Sequence, residues 1–205
     1  MLGKTHIAVG LASSYLILQP KTLSQFTAAT VGGCIGGIMA DIDVKINRSN
    51  SFALKASLDA LYGEILAIGI SLAALTGDYL SGGTVLRVII SHWQKSLIGA
   101  AILGILICIG EMSKHRERTH SLLALLLFSF AALLIDESIG VAFAVGYTSH
   151  LIIDLFNKSP IRILYPLKKG ICFKTCYADK LGNELLLIAG VSISILYAFL
   201  RVIGN

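Results

Sequence analysis

The stretch SHLIID sets His150 and Asp154 four residues apart. On a helix both side chains leave from one face, so they can share a metal ion or the carboxylate can orient the imidazole. ADID at 40–43 places Asp41 and Asp43 two apart, where a turning backbone lets both carboxylates reach one cation. The end of a helix is an unfavourable place for two negative charges because of the macrodipole, and a bound cation removes the conflict. KHRERTHS at 114–121 adds His115 and His120, with Arg116 between them as a planar fork suited to phosphate oxygens. His6 stands at the mouth of the first apolar run. Imidazole nitrogen and carboxylate oxygen without thiolate suit zinc, manganese or iron better than magnesium or calcium. Singly, each group has a plainer reading: His6 as a helix-end hydrogen-bonding group, KHRER as a solvated basic loop, His150 and Asp154 as a structural pair. Their meeting on one face favours a metal site.

The elements that must bring them together are apolar helices. Of the 205 residues 55% are hydrophobic and 14% charged, far more apolar than a soluble domain of this size. Apolar runs occupy about 5–18, 24–40, 54–76, 96–110, 121–135, 138–156 and 184–203. This pattern predicts an all-α, polytopic membrane bundle of six to seven helices, some short or only partly embedded. No linker and no fixed-period repeat interrupts it, so residues 1–205 read as a single domain. Only the third and last runs comfortably reach the ~20 residues that cross a bilayer core. GGCIGG at 32–37 supplies glycines four apart, which let a neighbouring helix approach closely. Cys34 and Cys108 lie in apolar runs, and the Cys172–Cys176 pair in a loop reads as structural or incidental rather than as a metal site. Near the N-terminus no cleavable signal is expected.

The basic residues set the expected orientation. If all seven runs cross, Lys4, Lys45, Arg48, Lys55, Lys114, Arg116, Arg118, Lys158, Arg162, Lys168, Lys169, Lys174 and Lys180 collect on one side, against Lys21, Arg87, Lys95 and Arg201 on the other. Thirteen against four predicts that the first side is cytoplasmic. His6, Asp41, Asp43, the 114–121 stretch, His150 and Asp154 all fall at the cytoplasmic ends of their helices. The net charge of +5 is therefore expected to meet anionic lipid headgroups, especially along 157–182. The basic residues are scattered without interleaved aromatics, which argues against nucleic acid.

THIAVG at 5–10, ADID at 40–43, HRERTHS at 115–121, GYTSHLIID at 146–154 and LYPL at 164–167 resemble, in order, the YdjM-like family of bacterial inner-membrane metal-dependent hydrolases. The resemblance implies that His6, Asp41, Asp43, His115, His120, His150 and Asp154 are metal-site residues and that Arg116 binds an anion. Glu117 stands where a glycine often follows the arginine in that family. The order of His and Asp on helices is also similar, more distantly, to the all-helical zinc phospholipase C and nuclease proteins, which implies a phosphate-ester substrate.

The function expected from these residues is metal-activated hydrolysis of a phosphate ester, such as a phospholipid, at the cytoplasmic face of the inner membrane. One to three divalent ions, zinc foremost, would lower the pKa of water and polarise the phosphoryl oxygen. Arg116 would stabilise developing charge, and His115 or Glu117 would protonate the leaving group. Asp59, Glu64 and Glu184 read as groups that cap or solvate helix ends. A small-solute or ion transporter would carry its ionisable groups near mid-membrane and show a repeat. A membrane scaffold would need no convergence of His and Asp at all.

Overall fold

The computed structural model describes residues 1–175 and 181–203; Cys176 and Lys180 lie outside the described residues. In chain order the helices are α1 (Gly3–Leu18), α2 (Leu23–Met39) with a 3-10 turn at Ala40–Asp43, α3 (Ser51–Leu80), α4 (Val85–Ser91), α5 (Trp93–Glu111), α6 (Leu122–Ile135), α7 (Glu137–Leu155) and α8 (Leu181–Ile203). The chain is an all-helical bundle, with an isolated β-type bridge between Ile161 and Ile171.

Local chemistry fixes the helix starts. Thr22 and Gln25 form a reciprocal capping box on α2, while Asn50, Ser121 and Asp136 each accept the backbone N–H three residues on and cap α3, α6 and α7. Asp136 alone separates α6 from α7, and its extended backbone turns one helix sharply into the next. The start of α1 borrows its cap from another helix, since Gly3 N–H donates to Asp59 Oδ2 of α3 at 2.7 Å.

Five helices are long and apolar enough to cross a membrane: 23–43, 53–80, 93–111, 137–155 and 181–201. This corrects the expectation that only two reach spanning length. The spans at 23–43 and 93–111 run on through polar flanking residues, Asp41 and Asp43 in the first and Gln94, Lys95 and Glu111 in the second, that an apolar-run count leaves out. α6, at 14 residues, rises only about 21 Å, short of the ~30 Å hydrocarbon core. α4 is a short helix absent from the apolar-run reading.

α2 and α7 are the enclosed spans; α3, α5 and α8 turn leucine and isoleucine outward around them. α2 packs against α1, α3 and α7, and its glycines set how closely. A Cβ on Gly36 would collide with the Phe143 carbonyl of α7, and one on Gly37 would sit 2.7 Å from the His6 carbonyl of α1. The glycine stripe therefore brings two helices against α2 at the level of the histidines.

Candidate metal centre

Every predicted ligand sits at one end of this bundle. His6 comes from the first turns of α1, Asp41 and Asp43 from the 3-10 turn after α2, His115 and His120 from the α5–α6 loop, and His150 and Asp154 from the last turns of α7. His6, Asp41, Asp43, His120, His150 and Asp154 are all buried. Burying three carboxylates so close together is costly without positive charge to face them.

Four donor atoms form the centre of the cluster. His150 Nδ1 donates to the Gly37 carbonyl at 2.7 Å, which leaves Nε2 as the nitrogen with a free lone pair. That Nε2 lies 3.3 Å from His120 Nε2, 3.7 Å from Asp41 Oδ1 and 4.0 Å from Asp154 Oδ2. His120 Nε2 in turn is 3.5 Å from Asp41 Oδ1 and 3.4 Å from Asp154 Oδ2. A tetrahedron with zinc bonds of ~2.0–2.1 Å has edges of about 3.3–3.4 Å. The atoms fall into two possible ligand groups that share His150, one with Asp41 and His120 and one with His6 and Asp154.

His6 lies beside this set. Its ring stacks on that of His150 at a centroid distance of 3.7 Å, and its Nε2 is 3.4 Å from Asp154 Oδ1. Neither ring nitrogen makes a hydrogen bond, although the residue is fully enclosed. A buried imidazole with both nitrogens orphaned is the clearest sign that these residues fit a metal, since neutral imidazole is a ligand awaiting a Lewis acid. Met1 adds its amino group, which donates to Asp154 Oδ1 at 3.0 Å.

Asp43 has a different set of partners. It accepts from His115 Nδ1 at 2.7 Å, from the Arg116 backbone N–H at 3.0 Å and from the Thr119 hydroxyl at 2.6 Å, with His120 Nδ1 at 3.6 Å. The carboxylate thus ties the 115–120 loop to the end of α2 and stands behind the His120 ring, on the side away from Nε2. Asp43, His115 and His120 also lie close enough together to form a second possible ligand group. Burial alone would lower the pKa of His120, but Asp154, Asp41 and Asp43 around it outweigh that and hold it well above its ordinary value.

The rim carries the remaining candidates. Arg116 adopts a left-handed backbone conformation, φ 68°, and its guanidinium reaches Asp154 Oδ2 at 3.3 Å and the Ser159 carbonyl at 2.9 Å. His115 is 40% exposed, so it can meet a ligand from solvent while bonded to Asp43. Glu117 pairs with Arg162 at 3.1 Å. Asp59 caps α1, and Glu184 is exposed. Glu64 is half-buried on α3.

Three supporting residues escaped the sequence reading. Tyr147 donates to the Thr119 carbonyl at 2.5 Å, Thr119 donates to Asp43, and Asn183 of α8 accepts from Leu2 N–H and the Thr5 hydroxyl. Tyr147 precedes His150 by three residues and so shares its helix face, a signal that was available. A single asparagine at the head of an apolar helix was the signal for Asn183.

The chain is 30% identical over 87 residues, 42% of its length, to the "Uncharacterized protein YvsG" of Bacillus subtilis (strain 168). The matched stretch spans about half, 54%, of that relative's length. No solved structure matches. The family model described as YdjM inner membrane protein matches residues 1–204, and the chain belongs to that family.

Proposed function

We propose that this protein is a membrane-bound, metal-dependent hydrolase that cleaves a phosphate ester, such as a phospholipid, at the cytoplasmic face of the inner membrane. The observation that carries the reading is the set of four donor atoms, His120 Nε2, His150 Nε2, Asp41 Oδ1 and Asp154 Oδ2, in which each imidazole nitrogen lies within 4.0 Å of both carboxylates, beside the orphaned His6 ring. The N2O2 donor set favours zinc, with manganese or iron as alternatives. His6 at the second oxygen of Asp154 offers a place for a further ion bridged by that carboxylate.

The chemistry such an ion supplies is polarisation of a phosphoryl oxygen and acidification of water. The chain's own groups do the rest. Arg116 presents its guanidinium at the rim, where its fork suits two phosphate oxygens, and leaves Asp154 free for the ion when it swings to an anion. His115, exposed and anchored to Asp43 through Nδ1, accepts from Arg116 Nε at its Nε2 at 3.3 Å and stands at the rim as the group to assist the leaving group. Asp43 positions His120 and so acts through it. Glu117 steadies the rim through Arg162. The basic loop from 157 onward rests on anionic headgroups and keeps the rim at the membrane surface. A mid-membrane transport site would need these groups away from the helix ends, where they are not.

Metal content tests the reading. Detergent-purified wild type is expected to carry zinc, manganese or iron at roughly one ion or more per chain, and His150→Ala and Asp41→Ala are expected to lose it while remaining folded. Metal-loaded wild type should then hydrolyse phospholipid or a phosphodiester in reconstituted vesicles. Wild type without metal after reconstitution would sink the proposal.

A further inference from the structure

Beside the metal centre runs a groove that the chemistry above does not use. α1 packs against both α7 and α8, whereas α7 and α8 make at most marginal contact with each other among the described residues. α1 is thus the floor of a channel whose two walls are not joined. Two cavities, of about 530 and 310 Å³, share Ser13, Ser149 and Ile152, so they form one continuous groove along α1. It extends from Met1, Phe156 and Gly182 at the metal end to Ile17 and Val141 at the other. Along α1 that is roughly 20 Å at 1.5 Å per residue, more than half the ~30 Å hydrocarbon core. The lining is almost wholly apolar, and Ile152, 51% exposed, and Leu185, 57% exposed, open it sideways to the membrane interior.

The metal end of the groove is not apolar. Asn183, fully buried and next to the lining residue Gly182, uses its Oδ1 to accept from Leu2 N–H and the Thr5 hydroxyl. A backbone N–H can only donate, so the oxygen of the amide is fixed in place. Its Nδ2 has no hydrogen-bond partner. Met1 lines the groove with its side chain while its amino group bonds Asp154, so one residue joins the two spaces. Asn183 itself stands behind the lining, so the polar link between groove and metal centre is Met1.

We propose that the α1/α7/α8 groove seats one acyl chain of a membrane lipid, with the lipid head at Met1, so that the substrate enters from the bilayer and its head reaches the metal centre. This rests on the hydrolase reading for the word substrate, and on the groove alone for the lipid. The seat selects a chain-bearing amphiphile over a water-soluble phosphate ester. Its head is delivered from the Asp154 side, beneath Arg116, rather than from open solvent.

The test uses full-length protein in phosphatidylethanolamine and phosphatidylglycerol vesicles carrying a trace of phosphatidylglycerol with a diazirine on one acyl chain. After illumination, labelled residues are mapped by mass spectrometry. Labelling is expected to concentrate at Val9, Val145 and Ile152, about tenfold over the outward-facing Leu126 and Ile105. Ile152→Trp, which fills the groove from its exposed side, and Thr148→Trp should each remove that excess. Labelling that is even over groove and outer faces, or that survives both tryptophans, overturns the proposal. Metal content measured on the same samples reads the hydrolase proposal separately. Groove labelling without metal sinks the hydrolase and keeps the lipid seat; metal without groove labelling does the reverse.

Discussion

Both ends of the bundle bury carboxylates, and they satisfy them in opposite ways. At the end away from the histidines, Asp78 of α3 is 1% exposed, and it accepts from the Ser24 hydroxyl at 2.8 Å and the Val85 backbone N–H at 3.1 Å. Those neutral donors stitch the α3–α4 turn to the start of α2 and leave the acid nothing further to do. At the other end Asp154 accepts from the Met1 amino group at 3.0 Å and the Asn157 amide at 3.2 Å through Oδ1, but Asp41 and Asp154 also face imidazole nitrogens at 3.4 to 4.0 Å, distances too long for good hydrogen bonds and suited to atoms sharing an ion. A buried acid is therefore to be judged by what satisfies it, and not by its burial. Asp43 falls between the two, since its close partners are a hydroxyl, a backbone N–H and one imidazole.

That comparison can be broken most sharply at the two extreme acids. Asp154→Asn is expected to empty the metal centre, whereas Asp78→Asn leaves metal content at the wild-type level, both read by elemental analysis of purified protein. Equal metal loss in the two variants would erase the distinction. The intermediate acid gives the next effect. Asp43→Asn, which disturbs only the support behind His120, is expected to weaken zinc affinity by about 10–100-fold without abolishing it, as competition with a chromophoric chelator would show. If Asp43 were instead a direct ligand, the variant would behave like Asp154→Asn.

Proton competition sharpens the same end. In the metal-free protein His120 is protonated well above its ordinary 6.5, so an ion must displace that proton. Affinity should rise by up to about tenfold per pH unit above ~6.5 until the raised pKa is passed. Metal-free stability should move the other way. A group whose folded pKa is raised contributes its full share below the unfolded value and loses it as pH climbs through the folded one, so the thermal midpoint without metal should fall with rising pH over that window. A pH-independent zinc affinity would contradict the placement of His120 Nε2 among the carboxylates. The smallest effect belongs to the structural end: Asp78→Ala leaves the Val85 N–H unsatisfied and should cost about 1–3 kcal/mol in unfolding free energy, with zinc affinity unchanged.

Much of the site was legible because its residues stand at helix ends in short, recognisable stretches. SHLIID announces a shared helix face, and ADID announces a turn. Their sidedness follows from counting charges across apolar runs. What the sequence could not reveal is the division of labour inside the cluster. Whether Asp43 holds an ion or the loop depends on the Thr119 hydroxyl and the Arg116 N–H arriving at it, which are contacts between elements 72 to 76 residues apart. The lengths of the spans at 23–43 and 93–111 were underestimated because their ends are polar, and polar residues at a membrane boundary look like loop. The groove was invisible for a further reason. It exists where α7 and α8 fail to meet, and no local pattern encodes a gap between two helices.

The bond from His150 to the Gly37 carbonyl spans 113 residues, and it has a consequence for the order of events during synthesis. When α2 enters the membrane, the 3-10 turn offers only carboxylates to a passing ion; both imidazoles of the central set come later, one of them on the last turns of α7. A nascent chain stalled after α5 holds no cage, and a cation caught there would meet mainly carboxylate oxygen, with His6 as the one imidazole yet made, a donor set closer to that of magnesium or calcium. Selection for a nitrogen-loving ion can begin only when α7 has slid against the glycines of α2 and His150 has been turned by its carbonyl. The identity of the ion is thus decided by the finished bundle, and the glycine stripe is the checkpoint at which that decision becomes possible.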